Sequence, residues 1–234
     1  MKKTIKKGLL ALMALVLLCS VVFAQPDDSD FTYWPRSYFA SIGFSVIANR
    51  GDLFDEKRIL KVKEDKNGDR AFVYYPNTKV LISPDYNIGV NIREFSFAAS
   101  FQYWSMTGTI GGLPDNINEQ RMRYWRFGLE ATYNFFYPEF FQVGVGLGYS
   151  FSNFMTEKSS TGADFYNSEL MGSAIALVTT MRYYITEHIA LAPSIRIYEN
   201  WYKAIYAKNI GTVDLDSYLW QTYVAVSINA MFQF

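Results

Sequence analysis

The chain has 234 residues, half of them apolar and 18% aromatic, which excludes a disordered or low-complexity protein. Lysine and arginine total 22 and so do aspartate and glutamate, but four of the lysines lie in the first 24 residues, which hold no acid. Without that leader, 18 basic residues face 22 acidic ones, the wrong balance for a nucleic-acid binder. The single cysteine, Cys19, is also in the leader, so no disulfide framework or cysteine-ligated zinc is expected in the processed chain.

Residues 1 to 24 read as a signal peptide. Lys2, Lys3, Lys6 and Lys7 form a positive start, Leu9 to Leu18 is an apolar run, and Val22-Phe23-Ala24 offers a cleavage site. The apolar stretch to Ala24 is 16 residues, short of the ~20 needed to span a bilayer as a helix. Residues 25 to 36 are expected to be an N-terminal segment on the periplasmic side, with Asp27-Asp28-Ser29-Asp30 a solvated acidic stretch rather than a calcium loop, which needs a central glycine and a distal glutamate.

Beyond the leader, alternation with a period of two dominates. The first strand is expected from about Tyr38 to Asn49. Tyr38, Ala40, Ile42, Phe44, Val46 and Ala48 share one face; Phe39 and Ile47 interrupt the other. Residues 50 to 85 are more charged. Asn67-Gly68 there signals a turn, and a water-exposed charged hairpin is expected at about 55 to 76.

Ile88, Val90 and Ile92 begin the next strand face, and a tight turn at Arg93-Glu94 leads to Phe95, Phe97, Ala99, Phe101 and Tyr103. Residues 106 to 121 read as a loop. Trp125, Phe127, Leu129, Ala131, Tyr133 and Phe135 then oppose Arg126, Gly128, Glu130, Thr132 and Asn134. After a turn near Pro138, Phe141 to Phe151 alternates with Gly144, Gly146, Gly148 and Ser150.

A polar loop is expected over 155 to 168. Strands from about Leu170 to Tyr184 and from Ile189 to about Asn200 flank a turn at Thr186-Glu187-His188. Pro193 removes a ladder donor, so a bulge or weak pairing is expected there. Residues 201 to 216 read as a loop, and Tyr218 to Phe234 as the last strand.

Eight strands result, with short connections alternating with long ones. An up-and-down barrel gathers all the short turns at one end and all the long loops at the other. A ten-strand alternative stays open if the 55 to 76 hairpin joins the wall. The many aromatics on the apolar faces would overfill the narrow lumen of an eight-stranded barrel. Facing lipid, they fit, and closure leaves no unpaired edge in the bilayer. The expected fold is therefore all-β, a closed antiparallel up-and-down transmembrane barrel over 37 to 234. Arg126, Glu130, Arg182 and Arg196 then form a polar cluster inside it. Aromatics near strand ends, among them Tyr183, Tyr184, Trp201 and Tyr202, fit interfacial girdles.

The terminal strand, with Ile228, Ala230, Phe232 and the final Phe234 alternating, resembles the C-terminal assembly signal of Gram-negative-type outer-membrane barrels. Met181 to Leu191 looks like a strand-turn-strand unit common in small outer-membrane barrels, and Tyr86 to Tyr103 is similar to it. The resemblance is to the small eight-stranded OmpX-, OmpA-barrel- and OmpW-like family. It implies location in the outer membrane of a diderm bacterium after cleavage near Ala24, and handling by the barrel-assembly machinery. OmpW-like proteins are implied to pass small hydrophobic molecules, but no functional motif of theirs maps onto this chain.

Two functions are expected from these features. One is a structural or surface-interaction role through the long extracellular loops. The alternative is an OmpW-like narrow channel for small hydrophobic molecules. An enzyme is not expected, because His188 is the only histidine and sits in a short turn beside Glu187. No cofactor or metal is called for. The partners expected are outer-membrane lipid and lipopolysaccharide, the latter through Lys61, Lys63 and Lys66, with no nucleic acid and a monomeric chain.

Overall fold

A computed structural model describes residues 36–51, 80–109, 119–136, 140–157, 168–207 and 211–234. The leader, the expected N-terminal segment before Arg36, and the 55 to 76 hairpin lie outside the described residues, as do most of the expected loops at 106 to 121 and 155 to 168.

Eight strands are present: β1 (Arg36–Gly51), β2 (Val80–Ile92), β3 (Phe95–Thr109), β4 (Glu119–Phe136), β5 (Phe141–Glu157), β6 (Ser168–Tyr184), β7 (Ile189–Ala207) and β8 (Gly211–Gln233). Each pairs antiparallel with its chain neighbours, and β1 pairs with β8 to close the barrel. The closing seam runs from Phe39↔Gln233 to Gly51↔Gln221. Closure gives every strand two neighbours, so no strand stands as a free edge in the hydrocarbon. At Gly43 a side chain would strike the Ile228 carbonyl oxygen and the Asn229 amide across this seam, so only glycine lets β1 lie this close to β8.

The short turns gather at one end. Arg93 and Glu94 join β2 to β3, with Arg93 held at φ 53° as a two-residue turn requires, and Ile185 to His188 joins β6 to β7. The start of β1 and the end of β8 reach the same end, where the Tyr38 and Phe234 backbones bond each other.

The outward face carries Ile42, Phe44, Ile88, Leu129, Leu147, Ile228 and many other exposed large apolar side chains. Rings cluster at both ends of this belt. Tyr38 stacks on Phe234 and Phe140 meets Tyr183 near the short turns, while Trp201 lies beside Trp220 near the other end. No water-soluble protein exposes a belt of this kind around its whole girth.

Three sequence expectations need correction. Residues 201 to 216 are not a loop: β7 runs to Ala207 and β8 starts at Gly211. A register shift between Tyr202 and Ala204 sets Lys203 against four residues of β8 and reverses the alternation beyond it. Ile205 then turns inward, on the opposite parity from Asn200 and Tyr202, which breaks the periodicity that a continued strand would show. Residues 80 to 85 belong to β2, where Pro84 pairs with Phe44 inside a strand.

Phe39 and Ile47, the apolar residues on the inward face of β1, are buried in the lumen, as their place in the alternation predicts. Tyr202 is no girdle residue, being wholly buried, and Tyr184 turns inward to donate to Gln142 and Gln233. At Pro193 the β6–β7 ladder runs to Thr180↔Ser194 and resumes at Tyr183↔Leu191 in the same register. The missing proline N–H thus weakens pairing on that side without a bulge.

Candidate functional site: the barrel lumen

Inward-pointing side chains fill the lumen in three tiers. The central tier is ionic. Arg196 on β7 crosses to Glu130 on β4, its Nε donating to both carboxylate oxygens at 2.9 and 3.1 Å. Its Nη1 donates to Asp85 Oδ2 on β2 at 3.1 Å and to Ser194 at 2.8 Å, and its Nη2 donates to Asn87 at 3.0 Å. Asp85 also accepts from Gln102 on β3 at 3.1 Å and from Asn229 on β8 at 3.0 Å. One guanidinium therefore ties together strands on opposite sides of the barrel.

The geometry satisfies what burial demands. Asp85 is fully buried, Glu130 is 7% exposed and Arg196 is 3% exposed. Charges taken from water are costly unless they are paired and hydrogen-bonded. Gly148, beside Glu130, leaves room for that carboxylate, since a side chain there would press on its Cγ at 3.1 Å.

Above this tier, Arg126 on β4 donates from Nε to Gln102 Oε1 at 3.2 Å, and its guanidinium lies 4.1 Å from the Tyr198 ring. Such stacking stabilises a desolvated cation by about 2 kcal/mol. An apolar and aromatic cluster then occupies the outer half, including Trp104, Tyr124, Phe154, Tyr202 and Tyr223. Trp104 stacks on Tyr124 at 3.8 Å, and Tyr202 and Tyr223 share a hydroxyl bond of 3.1 Å.

Below the centre, Arg182 on β6 donates to Asn91 at 2.9 Å and Ser96 at 3.0 Å and lies 4.9 Å from the Phe39 ring. It has no carboxylate partner among the described residues. The space between this residue and the central ion pairs amounts to about 40 Å³, room for a few water molecules.

Of the four interior residues singled out from sequence, Glu130 and Arg196 pair directly. Arg126 reaches Asp85 only through Gln102, and Arg182 stands in a separate network nearer the short turns. Asp85, which joins the two upper arginine networks, was missed because it sits in the charged stretch read as a loop. Its signal was the alternation Asp85, Asn87, Gly89, Asn91 opposite Tyr86, Ile88 and Val90. The interior aromatics were missed too, since aromatics as a class were assigned to lipid.

Ile228, Ala230, Phe232 and Phe234 all face outward at the end of β8. His188 is exposed in its turn, with Nδ1 at 3.1 Å from the Gln233 carbonyl and Nε2 at 3.7 Å from Glu187.

No family model and no curated protein matches the sequence. Solved structures do match. Pseudomonas aeruginosa OprG is 13% identical, covering 85% of this chain and 95% of its own at a TM-score of 0.55. Neisserial surface protein A is also 13% identical, covering 84% and 97% at 0.51. The Yersinia pestis attachment invasion locus protein Ail, solved with the heparin analogue sucrose octasulfate, is 12% identical, covering 86% and 100% at 0.50. This chain has the fold of the small eight-stranded bacterial outer-membrane β-barrels, and its apolar belt seats it in a lipid bilayer.

Proposed function

We propose that the protein is a sealed outer-membrane barrel that serves as a rigid anchor for its long surface connections, in a structural or surface-interaction role. The observation that carries this reading is the Arg196–Glu130–Asp85 cluster, which crosses the lumen with every charge paired. A second closure lies above it, where Trp104, Tyr124 and Tyr223 pack against one another. An aqueous passage would have to break buried ion pairs, at a cost of several kcal/mol.

The test has two arms. Purified protein in planar bilayers should give no stable conductance. Shortening the connection between β1 and β2 (residues 52–79) should leave a folded barrel, judged by its heat-dependent gel mobility, yet abolish the adhesion of expressing cells to surfaces or to one another. Steady conductance by the wild type would contradict the proposal, and so would adhesion unchanged by shortening all the long connections.

A second reading, the narrow channel for small hydrophobic molecules, draws support from one seam. β2 and β3 pair from Ile92↔Phe95 up to Asp85↔Gln102, whereas β3 goes on pairing with β4 as far as Thr109↔Glu119. Pro84 has no N–H to extend the β2–β3 ladder, and the Ser83 hydroxyl is shared between the Pro84 carbonyl at 2.9 Å and the Tyr103 carbonyl at 3.2 Å. Beside this seam stands the aromatic outer half of the lumen. On this reading a disulfide from Pro84→Cys with Tyr103→Cys would block uptake of a hydrophobic dye into proteoliposomes, and a reductant would restore it. Absence of uptake by the wild type would rule it out.

A further inference from the structure

The outward face of β3 to β7 carries an apolar groove of about 880 Å³, within the ~300–1,000 Å³ range of ligand pockets. One wall runs from Phe97 through Leu147 to Ile197 and the other from Leu129 through Tyr149 to Glu199. Its floor is the backbone between these two rows, and Ala99 and Ala131 open its lower end.

The groove is oblique. Ala99 lies four residues from the start of β3 at Phe95, whereas Glu199 lies ten residues from the start of β7 at Ile189. Six residues correspond to about 20 Å along a strand. For strands tilted near 45° that is about 14 Å of depth, against about 15 Å for the hydrocarbon of one leaflet. Since outer-membrane barrels keep their short turns on the periplasmic side, the Glu199 end is the outer one.

Glu199 is out of place on an apolar belt. It pairs with Thr222 two rungs on the bilayer side of the Trp201↔Trp220 pair, with its carboxylate exposed on the lipid-facing surface. Thr222 donates to both oxygens at 3.0 Å, yet a carboxylate has about four acceptor positions. Tyr149 and Ser173 share a hydroxyl bond nearby on the same face. An ionised group facing lipid costs stability and marks function unless it finds a partner.

We propose that this groove seats one acyl chain of an outer-leaflet lipid, and that Glu199 accepts hydrogen bonds from hydroxyl or amide N–H donors at the head of that chain. The groove supplies the length and inclination of a single chain, and the carboxylate selects a donor-bearing headgroup over one without donors.

The experiment uses the full barrel in phosphatidylcholine nanodiscs doped with lipid A, read by native mass spectrometry. Lipid A offers hydroxyl and amide donors; phosphatidylcholine offers none. The wild type should retain lipid A about tenfold over phosphatidylcholine, the size of one hydrogen bond to a charged group. Glu199→Leu should erase that preference. Ala131→Trp, with Ala99→Trp as a second variant filling the same end, should lose retention, whereas Val226→Trp outside the groove should keep it. Heat-dependent gel mobility shows which variants are folded. Equal retention of both lipids by the wild type would overturn the proposal, as would retention unchanged in the folded groove variants. A wild-type dimer that Ala131→Trp dissociates would overturn it in favour of a second copy of the chain.

Discussion

Arg196 bears more of the lumen's structure than any other side chain described, because two carboxylates from two strands depend on it. Arg196→Ala should destabilise the barrel by about 3–5 kcal/mol, since it strands Asp85 and Glu130 as buried charges. Neutralising the set together, as Asp85→Asn, Glu130→Gln and Arg196→Met, should recover most of that loss. Urea unfolding in lipid vesicles measures both. A loss below about 1 kcal/mol for the single variant, the value of a solvent-exposed pair, would mean that water reaches the cluster. Arg182 bonds only neutral groups among the described residues, so Arg182→Met should cost less, about 1–3 kcal/mol from the partners left unpaired.

At the scale of the strand, the seam between β1 and β8 is the most sensitive contact. Gly43→Val should prevent closure, because its side chain would meet the Ile228 backbone, which has nowhere to move. Refolding into detergent should leave the variant without the heat-dependent mobility of a folded barrel; a normal mobility shift would show that the seam can part. Strand order and facing were legible in the sequence wherever alternation was unbroken, as in β4 and β5. They were illegible where the backbone departs from a regular ladder. Lys203 breaks the register, Ile205 then faces inward against the parity of the rest of β7, and a run of tertiary core looks like a loop. Ser83-Pro84-Asp85 hid the start of β2 for a similar reason: proline argues against a strand interior, and here the β2–β3 ladder stops beside it while β1 still pairs with Pro84.

Across the whole molecule, a narrow barrel and a surplus of large side chains lead to a filled lumen. Eight strands enclose little space, and among the described residues three arginines, two carboxylates and a block of aromatics are buried in it. Alternation assigned the arginines to the interior, because the residues beside them along each strand are lipid-facing. It could not show which charges meet, since Asp85, Glu130 and Arg196 come from three strands far apart in sequence. Nor could it show that Tyr124, Tyr198 and Tyr223 point inward, because an aromatic suits the lumen of the outer half as well as lipid. The fold needs only the period of the pattern, while the site needs the shear that brings distant strands level with one another.

The central claim is that the lumen is closed to solutes, and paired uptake tests it most directly. Proteoliposomes of the wild type should take up neither a hydrophilic nor a hydrophobic fluorescent solute of similar size faster than protein-free vesicles do. Entry of the hydrophilic solute would contradict the ionic closure at Arg196. Entry of the hydrophobic one alone would contradict the sealed barrel and move the function to the seam between β2 and β3.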